Sequence, residues 1–205
     1  DLPEFTDEDG RTHIKIELEA QGSKIIVFRP KPVGRALPQR IVEKSVPLSG
    51  PWEVSFEANR GAPAGIKLAK LMSLSEHENE GVQHFSGVAT YTTSFDPPTH
   101  LADQSLILDL GDVKDLAEVT VNGKSAGILW RPPYTIDITP HLKPGRNQLA
   151  VKVVNTWVNR LIGDQKVPTD KRVAQIVPSS HQWYDAESQL LPSGLLGPVA
   201  IEVAK

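Results

Sequence analysis

From residue 46 onward the chain consists of short runs in which apolar and polar residues alternate, each closed by a turn signal. This pattern of period two, repeated at intervals of about ten residues, restricts the fold more than any other feature of the sequence. Trp52, Val54 and Phe56 alternate with Glu53, Ser55 and Glu57. Further strand signals lie at Phe85–Phe95, Ser105–Leu110, Ala117–Val121, Gly127–Trp130, Tyr134–Ile138, Gln148–Val154 and Val199–Val203. Asn122-Gly123 is the sharpest turn between them, because a two-residue type I′ hairpin needs positive φ at both positions. Pro144-Gly145 is a second. The 15 glycines and 17 prolines, about 16% of 205 residues, fit a chain with many turns. One short helix is expected over Leu68–Glu76, after the loop set by Gly61, Pro63 and Gly65. Strands without intervening helices predict an all-β sandwich, not parallel βαβ units.

The first 45 residues read differently. Ile14, Ile16 and Leu18 alternate with Lys15, Glu17 and Glu19, and Lys24–Arg29 reads as a partner strand reached through Gly22 and Ser23. This predicts an extra N-terminal β-hairpin. Pro30, Pro32 and Pro38 then mark a connection that no central strand or helix tolerates. The expected organisation is therefore 1–45, a hairpin from the end of a preceding β domain plus a Pro-rich linker, and 46–205, one sandwich. The opening DLPEFTDEDG has neither Met nor the regions of a signal peptide, as expected of an excised piece or a processed product, so the absence of an export signal here does not decide localisation.

Composition narrows the chemistry. With no cysteine there is no disulfide scaffold, thiolate zinc site or Cys nucleophile. A net charge of −3 gives no overall basic field for nucleic acid or an anionic membrane, and no apolar run reaches the roughly 18 residues of a membrane span. Neither phosphate-binding glycine motif is present, and HExxH is absent. His77, Glu78 and Glu80 read as a solvated loop, and Ser179, Ser180, His181 and Asp185 are too close in sequence to argue for a triad, which is a tertiary arrangement.

Aromatic residues beside polar ones are the remaining candidates, since an indole stacks on the C–H face of a sugar at little entropic cost. Trp52 reads as core. Trp130 ends a strand and runs into Arg131, Pro132, Pro133 and Tyr134, placing it at a rim. Asn155, Trp157, Asn159, Arg160 and Asp164 crowd the segment VVNTWVNRLIGDQ. Asn, Arg and Asp hydrogen-bond vicinal hydroxyls; the same residues also suit an internal ion pair of Arg160 with Asp164 and backbone caps by Asn155 and Asn159. Both readings stand at this point. Asp137, Thr139 and Asn147 read as scaffold residues of turns and strand ends.

The stretches HFSGVATYTTSFDPP, LILDLGDVKDLAEVTVNGKSAGILWRPPYTIDITPHLKPGRNQLAVKVVNTWVNRLIGD and LPSGLLGPVAIEV resemble the galactose-binding-like jelly roll of glycoside hydrolases. The hairpin VNGK, then DIT and LKPGRN, is similar to the sugar-binding domain of family 2. FSGVATY, LWRPPY, NTWVNRLIGD and SGLLGPV are most similar to the C-terminal region of family 106 α-L-rhamnosidases. The resemblance covers about Leu48 to Val203. It implies a jelly-roll β-sandwich with no catalytic centre of its own, attached to an upstream catalytic domain in a secreted or periplasmic enzyme acting on rhamnose-containing plant polysaccharide. Its function would be to bind carbohydrate, through Trp130, Tyr134, Trp157, Asn159, Arg160 and Asp164, or to serve as a structural interdomain scaffold. No cofactor is expected. A structural calcium ion would fit the resemblance, although the sequence singles out no ligands for it.

Overall fold

The computed structural model describes residues 5–16, 18, 22–28, 41–99, 103–174 and 183–205. The chain divides into two compact units, Asp1–Ile41 and Val42–Lys205.

In the first unit, β1 (Phe5–Glu8) pairs antiparallel with β2 (Arg11–Ile14), Phe5 opposite Ile14 and Glu8 opposite Arg11. The hairpin thus lies earlier than the alternation of residues 12–20 and its partner at 24–29 suggest, and residues 22–28 form no strand. The physical reason is the turn. Asp9 and Gly10 have φ of 53° and 73°, the two positive values that a type I′ hairpin requires. Residues 17, 19–21, 29 and 30–40 lie outside the described ones.

The second unit is a β-sandwich. Strands β3 (Val42–Pro47), β4 (Trp52–Phe56), β5 (Gly65–Leu68), β6 (Val88–Phe95), β7 (Ser105–Asp109) and β8 (Asp112–Lys114) form its first half in the chain. They are followed by β9 (Leu116–Val121), β10 (Lys124–Leu129), β11 (Thr135–Asp137), β12 (Asn147–Val154), β13 (Gly194–Gly197) and β14 (Ala200–Ala204). One sheet runs β10-β9-β12-β6-β4-β5 and the other β11-β7-β14-β3, while β13 and β8 form a short pair. The non-sequential neighbours are what a jelly-roll sandwich requires, and all these named pairs are antiparallel. Val42–Pro47, whose first residues read as linker in sequence, makes an edge strand; Pro47 is its last residue, and Leu48 N donates to Val199 O at 2.8 Å just beyond it.

Alternation becomes burial directly. Trp52, Val54 and Phe56 are buried while Glu53 and Ser55 are exposed. The inward residues of the larger sheet, among them Tyr91, Val119, Val121, Leu149 and Val151, join Leu106, Leu108, Ile201 and Val203 of the smaller one in a single core. The Asn122-Gly123 turn has φ of 51° and 78° and joins β9 to β10. It is held from within: Asn122 Nδ2 donates to His141 O at 2.9 Å and to Asn147 Oδ1 at 2.7 Å, and its Oδ1 accepts from Gln148 N. Asn147 is itself buried and donates to the Lys143 and Gly145 carbonyls. At the next strand end, Asp137 Oδ1 accepts from both the amide and hydroxyl of Thr139, whose Oγ1 accepts from Leu106 N.

Two local expectations change. Leu68–Glu76 is not helical: β5 ends at Leu68, only Leu74–Glu76 make a 3-10 turn, and the helical turn α1 lies at Glu80–Gln83, where Asn79 Oδ1 accepts from Val82 N. The polar segment after β12 folds into α2 (Val158–Gln165). Among the described residues no helix is long and apolar enough to cross a membrane.

Candidate functional site

The six residues singled out in sequence follow two strands of the larger sheet, Trp130 and Tyr134 after β10 and Trp157, Asn159, Arg160 and Asp164 after β12, and those two strands finish at the same end, where β9 begins. Leu129 and Val153 both face Ala117, so Trp130 is one residue past β10 and Trp157 three past β12, with β9 between those strands. They divide into two kinds.

Tyr134, Asn159, Arg160 and Asp164 are buried. Tyr134 donates its hydroxyl to Asp115 O at 2.8 Å and its carbonyl accepts from Leu110 N, which anchors the WRPPY loop to the core. Asn159 exchanges two hydrogen bonds with the Leu191 backbone, each of 2.8 Å. Arg160 Nε lies 3.0 Å from Asp164 Oδ1. That carboxylate also accepts from Val173 N at 3.1 Å and Ala174 N at 2.7 Å. A buried charge needs this degree of compensation. Tyr134, Asn159 and Asp164 are thus hydrogen-bonded inside the fold and Arg160 is held there by its ion pair, and α2 acts as a clamp for the chain segments after it.

Helix α2 buries Asn159, Arg160, Ile162, Gly163 and Asp164, so its inner face is mostly polar and carries no hydrophobic stripe for the sequence to reveal. It packs closely on His84: a Cβ at Gly163 would stand 2.6 Å from His84 Cγ and from Arg160 Nη2. His84 is buried, with Nδ1 bonded to Glu80 O at 2.8 Å and, among the described residues, no partner for Nε2. Burial above all, with Lys166 and Arg160 nearby, lowers its pKa and keeps the ring neutral.

Trp130 and Trp157 are the outward pair, 70% and 48% exposed. Each is flanked by a guanidinium: Arg131 Cζ lies 5.6 Å from the Trp130 ring centroid and Arg60 Cζ lies 5.2 Å from that of Trp157. Such cation–π pairs contribute about 0.5–1 kcal/mol at exposed sites. Trp157 is placed by a built framework. Asn155 donates to Phe85 O and accepts from Gly87 N, and Ser86 Oγ donates to Thr156 O. Across the same end of the sheet, Glu57 Oε1 accepts from Arg60 at 3.1 Å, and its Oε2 accepts from Val88 N. The Arg60 bond holds the Glu57 carboxyl below the usual glutamate range. Arg60 and Glu57 were not legible as site residues, being about a hundred positions from Trp157; Arg131 stands beside Trp130 in sequence but was not among the residues singled out.

Two shallow clefts lie elsewhere on the larger sheet. One of about 530 Å³ is lined by Glu53, Ser55, Lys67 and Thr92, and one of about 320 Å³ by Thr93, Ser94, Arg146 and Gln148 among others. Neither has an aromatic ring in its lining for a sugar to stack on. Around the second cluster noted in sequence, His181 lies outside the described residues, and Asp185 Oδ1 accepts from Ser188 Oγ and Glu187 N as a turn residue. His77 Nδ1 likewise accepts from Asn79 N. Among the described residues no three His, Asp or Glu side chains gather to hold a metal ion, so no calcium site is assigned.

The fold is thus a β-sandwich with two solvent-facing tryptophans, Trp130 and Trp157, just past the ends of β10 and β12. Residues 70–197 match the model for the glycosyl hydrolase 2 galactose-binding domain-like family, and the chain belongs to that family. A protein of Formosa agariphila named "Putative beta-glucuronidase" is 40% identical over 186 residues, covering 78% of this chain and 16% of its own length. The structure of a rhamnosidase from Novosphingobium sp. PP1Y superposes with a TM-score of 0.78 and 37% identity, over 98% of this chain and 19% of that one. A β-D-glucuronidase structure from Dictyoglomus thermophilum, at 20% identity and a TM-score of 0.54 over 82% of this chain and 29% of that one, shares the fold. The chain therefore spans less than a third of each relative.

Proposed function

We propose that this domain is a non-catalytic carbohydrate-binding module of a glycoside hydrolase that acts, outside the cytoplasm, on rhamnose-containing plant polysaccharide, with the catalytic domain in the same polypeptide. Membership of the galactose-binding-like family supports the accessory role, and the likeness to a rhamnosidase supports the choice of sugar. The observation that carries the binding half is the exposure of Trp130 and Trp157 at one end of the sheet, each on a framework that holds it out of the core. Titration calorimetry with rhamnose-containing pectic oligosaccharides tests it: heat is expected from the wild type and is reduced in Trp130→Ala and Trp157→Ala. No heat with any glycan refutes binding. Nitrophenyl glycosides, the rhamnoside included, are expected to show no turnover.

A purely structural scaffold is the second reading, favoured by Tyr134, Asn159, Arg160 and Asp164, whose polar groups are engaged internally. That role survives an absence of glycan binding.

A further inference from the structure

The two tryptophan platforms differ in charge. At Trp157 the adjacent Arg60 is already paired with Glu57, at 3.1 Å. At Trp130 the adjacent Arg131 meets only the neutral Pro132 carbonyl, at 3.4 Å, and among the described residues no carboxylate pairs with it. The charges around the neighbouring Tyr134 are mixed, Asp115 and Asp112 against Lys114, so this guanidinium does not stand in a basic patch. It stands beside an indole that is 70% exposed, on a loop whose far end is fixed by buried Tyr134.

We infer that Trp130 and Arg131 form a subsite for a uronate, a pyranose carrying a carboxylate, within an acidic polysaccharide. The inference rests on the carbohydrate-binding reading above and adds the class of sugar. The indole supplies apolar area for the C–H face of the ring. The guanidinium supplies a planar fork of donors that matches a carboxylate in geometry as well as charge, whereas the hydroxyls of a neutral sugar accept hydrogen bonds from it without the ion pair. Trp157, with its cation already neutralised by Glu57, supplies stacking area without charge selection.

The test uses the whole 205-residue chain and two ligands, an alternating rhamnose–galacturonate oligosaccharide and the same oligosaccharide with its carboxylates reduced to alcohols. Calorimetry is run at about 0.03 M and about 0.3 M salt, which span Debye lengths of roughly 18 and 6 Å. The expected result is binding of the acidic form, at least about tenfold weaker binding of the reduced form, and weakening by salt. Arg131→Gln is expected to lose about tenfold towards the acidic form alone. Equal binding of the two forms overturns the uronate assignment and leaves carbohydrate binding standing. No binding of either overturns both. Selectivity retained in Arg131→Gln overturns the role of Arg131. The side chain is exposed, and an unchanged melting temperature shows that the variant is folded.

Discussion

Arg160 and Asp164 face each other one helical turn apart on α2, Nε 3.0 Å from Oδ1, with side chains only 8% and 4% exposed. The guanidinium is enclosed further by Gly61 and Gly163, where an added Cβ would stand 2.7 and 2.6 Å from its nitrogens. Truncating one partner of such a pair leaves the other charge buried and alone. Asp164→Ala also strips the Val173 and Ala174 amides of their acceptor. It is expected to cost about 3–5 kcal/mol, read as a lower urea midpoint. If Asp164 instead served mainly to contact a ligand from solvent, stability would change little and only binding would fall.

His84 imposes a pH dependence. Its folded pKa is depressed, chiefly by burial, so above about pH 6.5 folded and unfolded chains are both neutral at this site. As pH falls below 6.5 the unfolded chain takes up the proton first, and stability declines until the folded pKa is passed, with a slope of at most about 1.4 kcal/mol per pH unit. Urea unfolding between pH 7.5 and about 5 reads this, and His84→Gln is expected to flatten the decline. An equally steep decline in the variant would assign it to other groups.

Asn122 combines a left-handed conformation with three hydrogen bonds that tie the β9–β10 turn to Asn147, His141 and Gln148. Asn122→Ala removes all three and places alanine at φ 51°, at an expected cost of about 2–4 kcal/mol. Asn122→Gly, which relieves only the conformational part, is expected to fall between wild type and alanine in thermal unfolding.

Trp157→Ala should separate binding from stability. The ring is half exposed and lies against the Arg60 guanidinium, so the truncation should cost about 2 kcal/mol, below the roughly 3–5 kcal/mol of a fully buried tryptophan. Affinity for a rhamnose-containing oligosaccharide should fall about tenfold, the scale of one aromatic stacking contact. A large loss of stability with intact binding would make Trp157 a packing residue.

How much was legible depended on whether a signal was local. The strands of the sandwich are visible because a pleated strand with one buried face must alternate, and Trp52-Val54-Phe56 does so in burial as in sequence. Asn122-Gly123 is visible because backbone sterics alone restrict what can occupy two left-handed positions. The N-terminal hairpin was displaced because the alternation of Ile14, Ile16 and Leu18 competes with a closer turn, Asp9-Gly10, which sets the pairing; Ile16 and Leu18 remain exposed. Helix α2 escaped because its buried face is Asn159, Arg160 and Asp164 as well as Ile162. The spacing of four between Arg160 and Asp164 was its one helical trace.

The sequence by itself determined the β-sandwich, its main turns and the family resemblance, since alternation and turn chemistry act between neighbours in the chain. Only the tertiary structure decided which polar residues face solvent. Arg160 and Asp164 carry the same functional groups whether they grip a sugar or each other, and burial assigned them to each other. The same holds for the cations: Glu57 reaches Arg60 and leaves Arg131 unpaired among the described residues, a difference in charge that depends on where separate strands end.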